Sequence, residues 1–231
     1  MAHSHGQRQK RINLYLMHGT ILAMNKSNAK TYIWVIVIST IAIWAAVLLV
    51  FEIELTGSVE ALKKLPLVVT IEAGIWLVFT QWAWKQNIFQ SWLVAEPIVQ
   101  GTWKGTLKST WVNPETGVAP DPIPIVFSIK QDFYNISCSI YTQESSSHSY
   151  FGRIYIDESS DVKRFIYTYT NKPKASVRHR SEYHDGTANL RIIGGSQNKM
   201  EGDYWTTRKS TGDIEVEFVQ KKLVSSFSEV E

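Results

Sequence analysis

The sequence predicts a membrane α-hairpin of two transmembrane helices followed by an all-β domain, a compact antiparallel up-and-down barrel of about eight strands. Two back-to-back apolar stretches near the start predict the hairpin. From Gly101 onward, short segments alternate apolar and polar residues between clusters of Gly, Pro, Asn, Asp and Ser, and these predict the barrel.

Residues 1–30 form a basic segment with Arg8, Lys10, Arg11, Lys26 and Lys30 and no acid. The hairpin is expected over 31–85. Its first span, Tyr32 to Phe51, holds no charge, and at twenty residues it reaches roughly 30 Å, the thickness of a bilayer core. That length, the residues ahead of it and the lack of a small-residue cleavage site argue against a signal peptide. The second span, Leu65 to Trp84, contains one charge, Glu72. The connector carries Glu52, Glu54 and Glu60 against Lys63 and Lys64. Positive charge favours the cytoplasmic side. Both termini are therefore expected in the cytoplasm, with the chain passing twice through the membrane. Trp76, Trp82, Trp84 and Trp92 fit an interfacial aromatic belt.

Inside the spans, Ala42 and Ala46, and Thr70 and Gly74, are small residues four apart, a spacing that lets helices approach closely. Packing within the hairpin and packing between copies both satisfy it. A carboxylate within a span is costly, so Glu72 reads as functional, the alternatives being a protonated acid or one reaching the interface. Glu72, Thr70 and Gly74 are the expected membrane-output residues.

The β-domain is expected over 98–222, with a tail at 223–231. Its strands read as 101–111, 123–131, 134–142, 148–157, 163–171, 178–193 (its second half), 199–208 and 213–220, with Ser145 to Ser147 in a turn. Alternation assigns the faces. Trp103, Leu107 and Trp111, then Ile125, Phe127 and Ile129, then Ile136, Cys138 and Ile140, and finally Ile214, Val216 and Phe218 point inward. The interior-facing sets of three strands turn polar at one end, through Tyr169, Asn171, His184, Tyr204, Thr206 and Arg208. Such a cluster is a self-satisfied network or a ligand pocket. Aromatic rings beside an arginine and amides suit a nucleobase with a phosphate. With Trp111 these are the candidate ligand contacts, and Arg153 on the fourth strand is the alternative cation.

Residues from Ile98 onward carry 16 basic and 16 acidic side chains. A domain gripping DNA or RNA by its phosphates would be basic, so neither is an expected partner. No zinc spacing, nucleophile constellation or phosphate loop is present, so neither an enzyme nor a cofactor is expected. The single cysteine, Cys138, sits on an apolar face and suits a reducing compartment.

The chain resembles the two-transmembrane, β-barrel effectors of cyclic-oligonucleotide-based antiphage signalling (CBASS). The resemblance rests on GTWKG at Gly101 to Gly105, YTYTNKP at Tyr167 to Pro173, HDG at His184 to Gly186 and GDYWTTRKSTG at Gly202 to Gly212, in that order behind two spans. It implies a cyclic dinucleotide ligand, made by a partner nucleotidyltransferase (CD-NTase) and bound by the barrel. It further implies homo-oligomerisation, disruption of the inner membrane and death of the infected cell. Read without the resemblance, the aliphatic inner face leaves an alternative, a membrane-anchored lipocalin-like carrier of an apolar molecule.

Overall fold

The computed structural model describes residues 26–53, 59–90, 92–157, 159–194 and 198–230. The basic segment up to residue 25, with Arg8, Lys10 and Arg11, lies outside them, as does Glu54 of the connector. The chain divides into two units, 1–95 and 96–231.

In the first unit, helix α1 (Lys26–Val50) contains Ala29–Val50, a stretch long and apolar enough to cross a membrane. A short helix α2 (Val59–Lys63) leads into α3 (Leu65–Gln81). Pro66 sits in the first turn of α3, where no internal hydrogen bond is lost. Helices α1 and α3 lie antiparallel: Tyr32 meets Trp76 edge-on at 6.1 Å, and Ser39 Oγ donates to Glu72 Oε1 at 2.7 Å. Val47, Leu48 and Val68 are buried between them.

The second span is shorter than the sequence suggests. The backbone leaves the helix at Trp82 (φ −139°) and enters a 3-10 turn, Ala83–Lys85. The 17 residues of α3 reach about 26 Å, below the roughly 30 Å of a bilayer core. Among the described residues, only α1 has the length and apolarity to cross alone. The expected belt also divides: Trp82 and Trp92 are exposed, whereas Trp84 is buried.

The second unit is a closed antiparallel barrel of eight strands in sequence order: β1 (Gly101–Ser109), β2 (Ile123–Gln131), β3 (Ile136–Tyr141), β4 (Ser145–Asp157), β5 (Val162–Pro173), β6 (His184–Ile193), β7 (Lys199–Thr206) and β8 (Thr211–Gln220). Pairing of β1 with β8 closes it. Ser145 to Ser147 are not a turn. They open β4 and pair with Pro173, Lys172 and Asn171. Long-range pairing overrides the turn preference of a serine run. A bulge between Ser149 and Phe151 then shifts β4 by one residue, so Ser147 and Ile154 both face inward despite opposite parity.

The core follows the predicted inner faces. Trp103, Phe127, Ile129, Phe165, Tyr167, Leu190, Met200 and Val216 are fully buried. One end is closed by aromatic and amide groups. Trp103 donates from Nε1 to Val99 O at 3.0 Å and meets Phe218 edge-on. Phe218 lies over Gly101, whose φ of 143° is open to glycine but strained for other residues. Gln131, buried, accepts from Val99 N at 2.8 Å and donates to Pro97 O at 3.0 Å.

The tail is part of this domain. Thr102 Oγ1 donates to Lys222 O at 2.5 Å, Lys104 Nζ donates to Val230 O at 2.9 Å, and the 3-10 turn Phe227–Val230 packs on β2. Val126 and Ser128, which alternation turns outward, are buried beneath it.

Candidate functional site

The polar interior residues collect where β5 and β7 end and where β6 and β8 begin. The structure brings Tyr169, Asn171, His184, Tyr204 and Thr206 to this end, and most are engaged with protein groups. Tyr169 pairs with Gly186 across β5 and β6, and a Cβ on Gly186 would lie 2.5 Å from the Tyr169 hydroxyl. Tyr204 covers Gly212 in the same manner and hydrogen-bonds Ser109. Each ring fills the space that its glycine partner leaves. Ser147 Oγ donates to Asn171 Oδ1 at 2.8 Å, both buried. Thr206 Oγ1 shares a hydrogen bond of 2.7 Å with Ser210 Oγ. His184 Nδ1 donates to Glu182 O at 2.9 Å.

Arg208 is not an inward strand residue. β7 ends at Thr206, so Arg208 falls in the turn to β8, exposed, with Nη1 donating to Ser181 Oγ at 3.3 Å. An arginine at the solvent edge avoids the desolvation an interior one would suffer. Its charge still reaches the mouth of the barrel. Burial raises the pKa of Tyr169 and Tyr204, and the guanidinium opposes that rise. Burial lowers the pKa of His184, and Arg208 lowers it further.

Two candidates lie elsewhere. Trp111 is beyond the end of β1 and half exposed, so it lines no interior. Arg153 faces outward with Phe151 and Tyr155, a consequence of the β4 bulge. Cys138 is buried in the core, and burial pushes its thiol pKa up, away from nucleophilic use. Tyr167 Oη, deep inside, has no hydrogen-bond partner among the described residues.

In the helical unit, Glu72 Oε1 is held by Ser39, while Oε2 is buried without a partner among the described residues. Thr70 and Gly74 are exposed, and a Cβ on Gly74 would touch nothing. Ala42 and Ala46 are exposed as well. Packing between α1 and α3 therefore does not use these small residues.

A second feature lies at the same barrel end. An open cleft of about 850 Å³ lies against the outer wall of β3, β4 and β5. Tyr141, His148, Lys172, Lys174 and Arg178 line it, together with the serines of the tail segment 225–228. Tyr141 and His148 meet edge-on at 6.2 Å. The signal was legible: residues 172–180 carry Lys172, Lys174, Arg178, His179 and Arg180 without an acid. The run looks like a mere separator until the tail folds back beside it.

Residues 94–217, more than half of the chain, match the family model of the Cap15 cyclic dinucleotide receptor domain. The chain belongs to this family. No curated protein matches it closely enough to count as a relative. The Cap15 receptor domain is a CBASS effector domain, so the resemblance carried by the GTWKG and GDYWTTRKSTG segments holds. The match begins just before β1 and ends within β8, so it covers nearly the whole barrel.

Proposed function

We propose that this chain is a membrane-anchored antiphage effector. Its barrel binds a cyclic dinucleotide made by a partner nucleotidyltransferase, and binding gathers copies whose helices disrupt the inner membrane. The observation that carries the reading is a Cap15 receptor barrel behind an apolar helix long enough to cross a bilayer. The second, shorter helix packs antiparallel on the first and completes a two-pass hairpin with both termini in the cytoplasm, its 26 Å accommodated by local thinning of the bilayer.

The polar end supports the ligand reading. Arg208 and His184 stand at its rim and are the mouth residues carried into the proposal. Asn171, Thr206 and Tyr204 are engaged with Ser147, Ser210 and Ser109 and shape that rim. The alternative carrier of an apolar molecule finds less support, because Trp103, Phe165, Tyr167 and Leu190 fill the aliphatic interior it would need.

The exposed Thr70–Gly74 and Ala42–Ala46 pairs support contact between copies, and Glu72, hydrogen-bonded to Ser39, supports a role for α3 in the output.

The test uses the full chain in detergent, melted with a panel of cyclic dinucleotides. A ligand at a hundredfold excess over its Kd adds about 2.7 kcal/mol to the folded state, visible as a rise in Tm. A panel without effect would sink the receptor reading. Glu72→Ala and Gly74→Ile are then compared with the wild type for killing of cells that carry the nucleotidyltransferase. Normal ligand binding with lost killing is the expected result, and normal killing makes the helices passive anchors.

A further inference from the structure

We propose that the outer cleft, rather than the barrel's mouth, is the principal holder of the ligand's phosphodiester groups. This rests on the reading that the barrel takes a cyclic dinucleotide, and it names where and by what chemistry.

A phosphodiester needs cations that are not already neutralised. Lys172 and Lys174 form no ion pair among the described residues. Arg178 rests on Tyr183, donating to its hydroxyl at 3.0 Å, and still borders the cleft. Among the described residues, no carboxylate lines the cleft. Of the acids on the flanking segments, Glu144 pairs with Arg180, and Glu229 accepts from Ser225 and Ser226. The mouth offers less. Asn171 Oδ1, the Thr206 hydroxyl and the Tyr204 hydroxyl are taken by Ser147, Ser210 and Ser109, and Arg208 stands at its exposed edge.

The cleft also has what the bases need. Tyr141 and His148 present aromatic faces beside the cations, and nucleobases stack on such rings without regard to sequence. Its volume of about 850 Å³ falls within the ~300–1,000 Å³ typical of small-molecule sites. One wall is the tail, fixed at Lys222 and Val230 to β1. A ligand seated there touches strand wall, loop and tail together, so binding can tighten the tail against the barrel.

The experiment measures affinity by calorimetry on the full chain in detergent, using the cyclic dinucleotide from the panel that binds best. Lys172→Ala with Lys174→Ala is expected to weaken binding about tenfold or more, since charge-assisted contacts are the strong ones. Arg208→Ala is expected to weaken it less than about threefold, as a rim contact in high dielectric does. All three side chains are exposed, and an unchanged Tm without ligand confirms that the variants fold. Wild-type affinity in the double lysine variant overturns the cleft while leaving the receptor reading intact. Loss of binding in Arg208→Ala alone moves the phosphates to the mouth and also overturns it. A wild-type chain that binds nothing in the panel removes the receptor reading and the cleft with it.

Discussion

The two ends of the barrel share eight strands and one up-and-down path, yet they are finished differently. At one end the connections are short, at 132–135, 158–161 and 194–198. Asp132 and Asp157 cap two of these turns by accepting from the backbone amides that follow them. Trp103, Phe218 and Gln131 close the space beneath. At the other end the connections at 142–144 and 207–210 are short but those at 110–122 and 174–183 are long, the inward residues are polar, and cations gather at the rim and on the outer wall. Long connections carry function because they hold little of the fold's energy. The first end should therefore answer to stability and the second to ligand.

Trp103→Ala is the strongest way to break that division. It empties the closed end of its largest buried side chain and removes the hydrogen bond to Val99. Large aromatic truncations cost about 3–5 kcal/mol. Chemical denaturation of the full chain should show a loss of that size, with near-normal ligand affinity in the fraction that stays folded. A ligand defect larger than the stability defect would mean that the two ends are not separate.

Gln131→Leu should have the next largest effect. One side chain satisfies Val99 N–H and Pro97 C=O, both at the entry to the barrel. Leucine leaves them unpaired at a cost of about 1–3 kcal/mol. The denaturation midpoint reports it, and an unchanged midpoint would show that water replaces the amide.

The division between ends was partly legible beforehand. Strict alternation on β2, β3 and β8 identified Ile125, Phe127, Cys138 and Val216 as core, because a half-buried strand has a period of two and little else to obey. Three things escaped it. Arg208 and Trp111 sit only two residues beyond their strands, and strand ends depend on pairing partners that a single sequence does not display. Arg153 faces outward because a bulge breaks the period, and bulges are set by long-range register. The cleft needed the tail to fold back over β2, a contact between residues about a hundred apart. In the helical unit, apolar content ran on to Trp84 while the helix stopped at Gln81, since hydropathy measures burial in lipid and not where backbone hydrogen bonds end.

Asn171→Ala sharpens the comparison at the polar end. It strips Ser147 Oγ of its buried acceptor, which costs about 1 kcal/mol, typical of one net hydrogen bond. If Asn171 serves the rim and not the ligand, the midpoint falls by that amount and calorimetry shows an unchanged Kd. A lost affinity with an unmoved midpoint would return Asn171 to the ligand site.

The smallest effect is electrostatic and falls on His184. Burial lowers its pKa, the Glu182 carbonyl opposes that, Arg208 lowers it further, and Asp185 raises it. The folded value therefore lies below that of the unfolded chain, about 6.5. Between the two values the unfolded chain binds more protons, so stability falls as pH drops through this window. Above about pH 6.5 the group costs nothing. His184→Gln should flatten this part of the acid dependence without altering stability at pH 8. Arg208→Ala should raise the folded pKa of His184 by removing a like charge, which narrows the window from below. An NMR titration of the His184 ring reads this shift directly. A titration unmoved by Arg208→Ala would mean that the guanidinium does not act on the mouth, and the polar end would then depend on its outer cleft alone for positive charge.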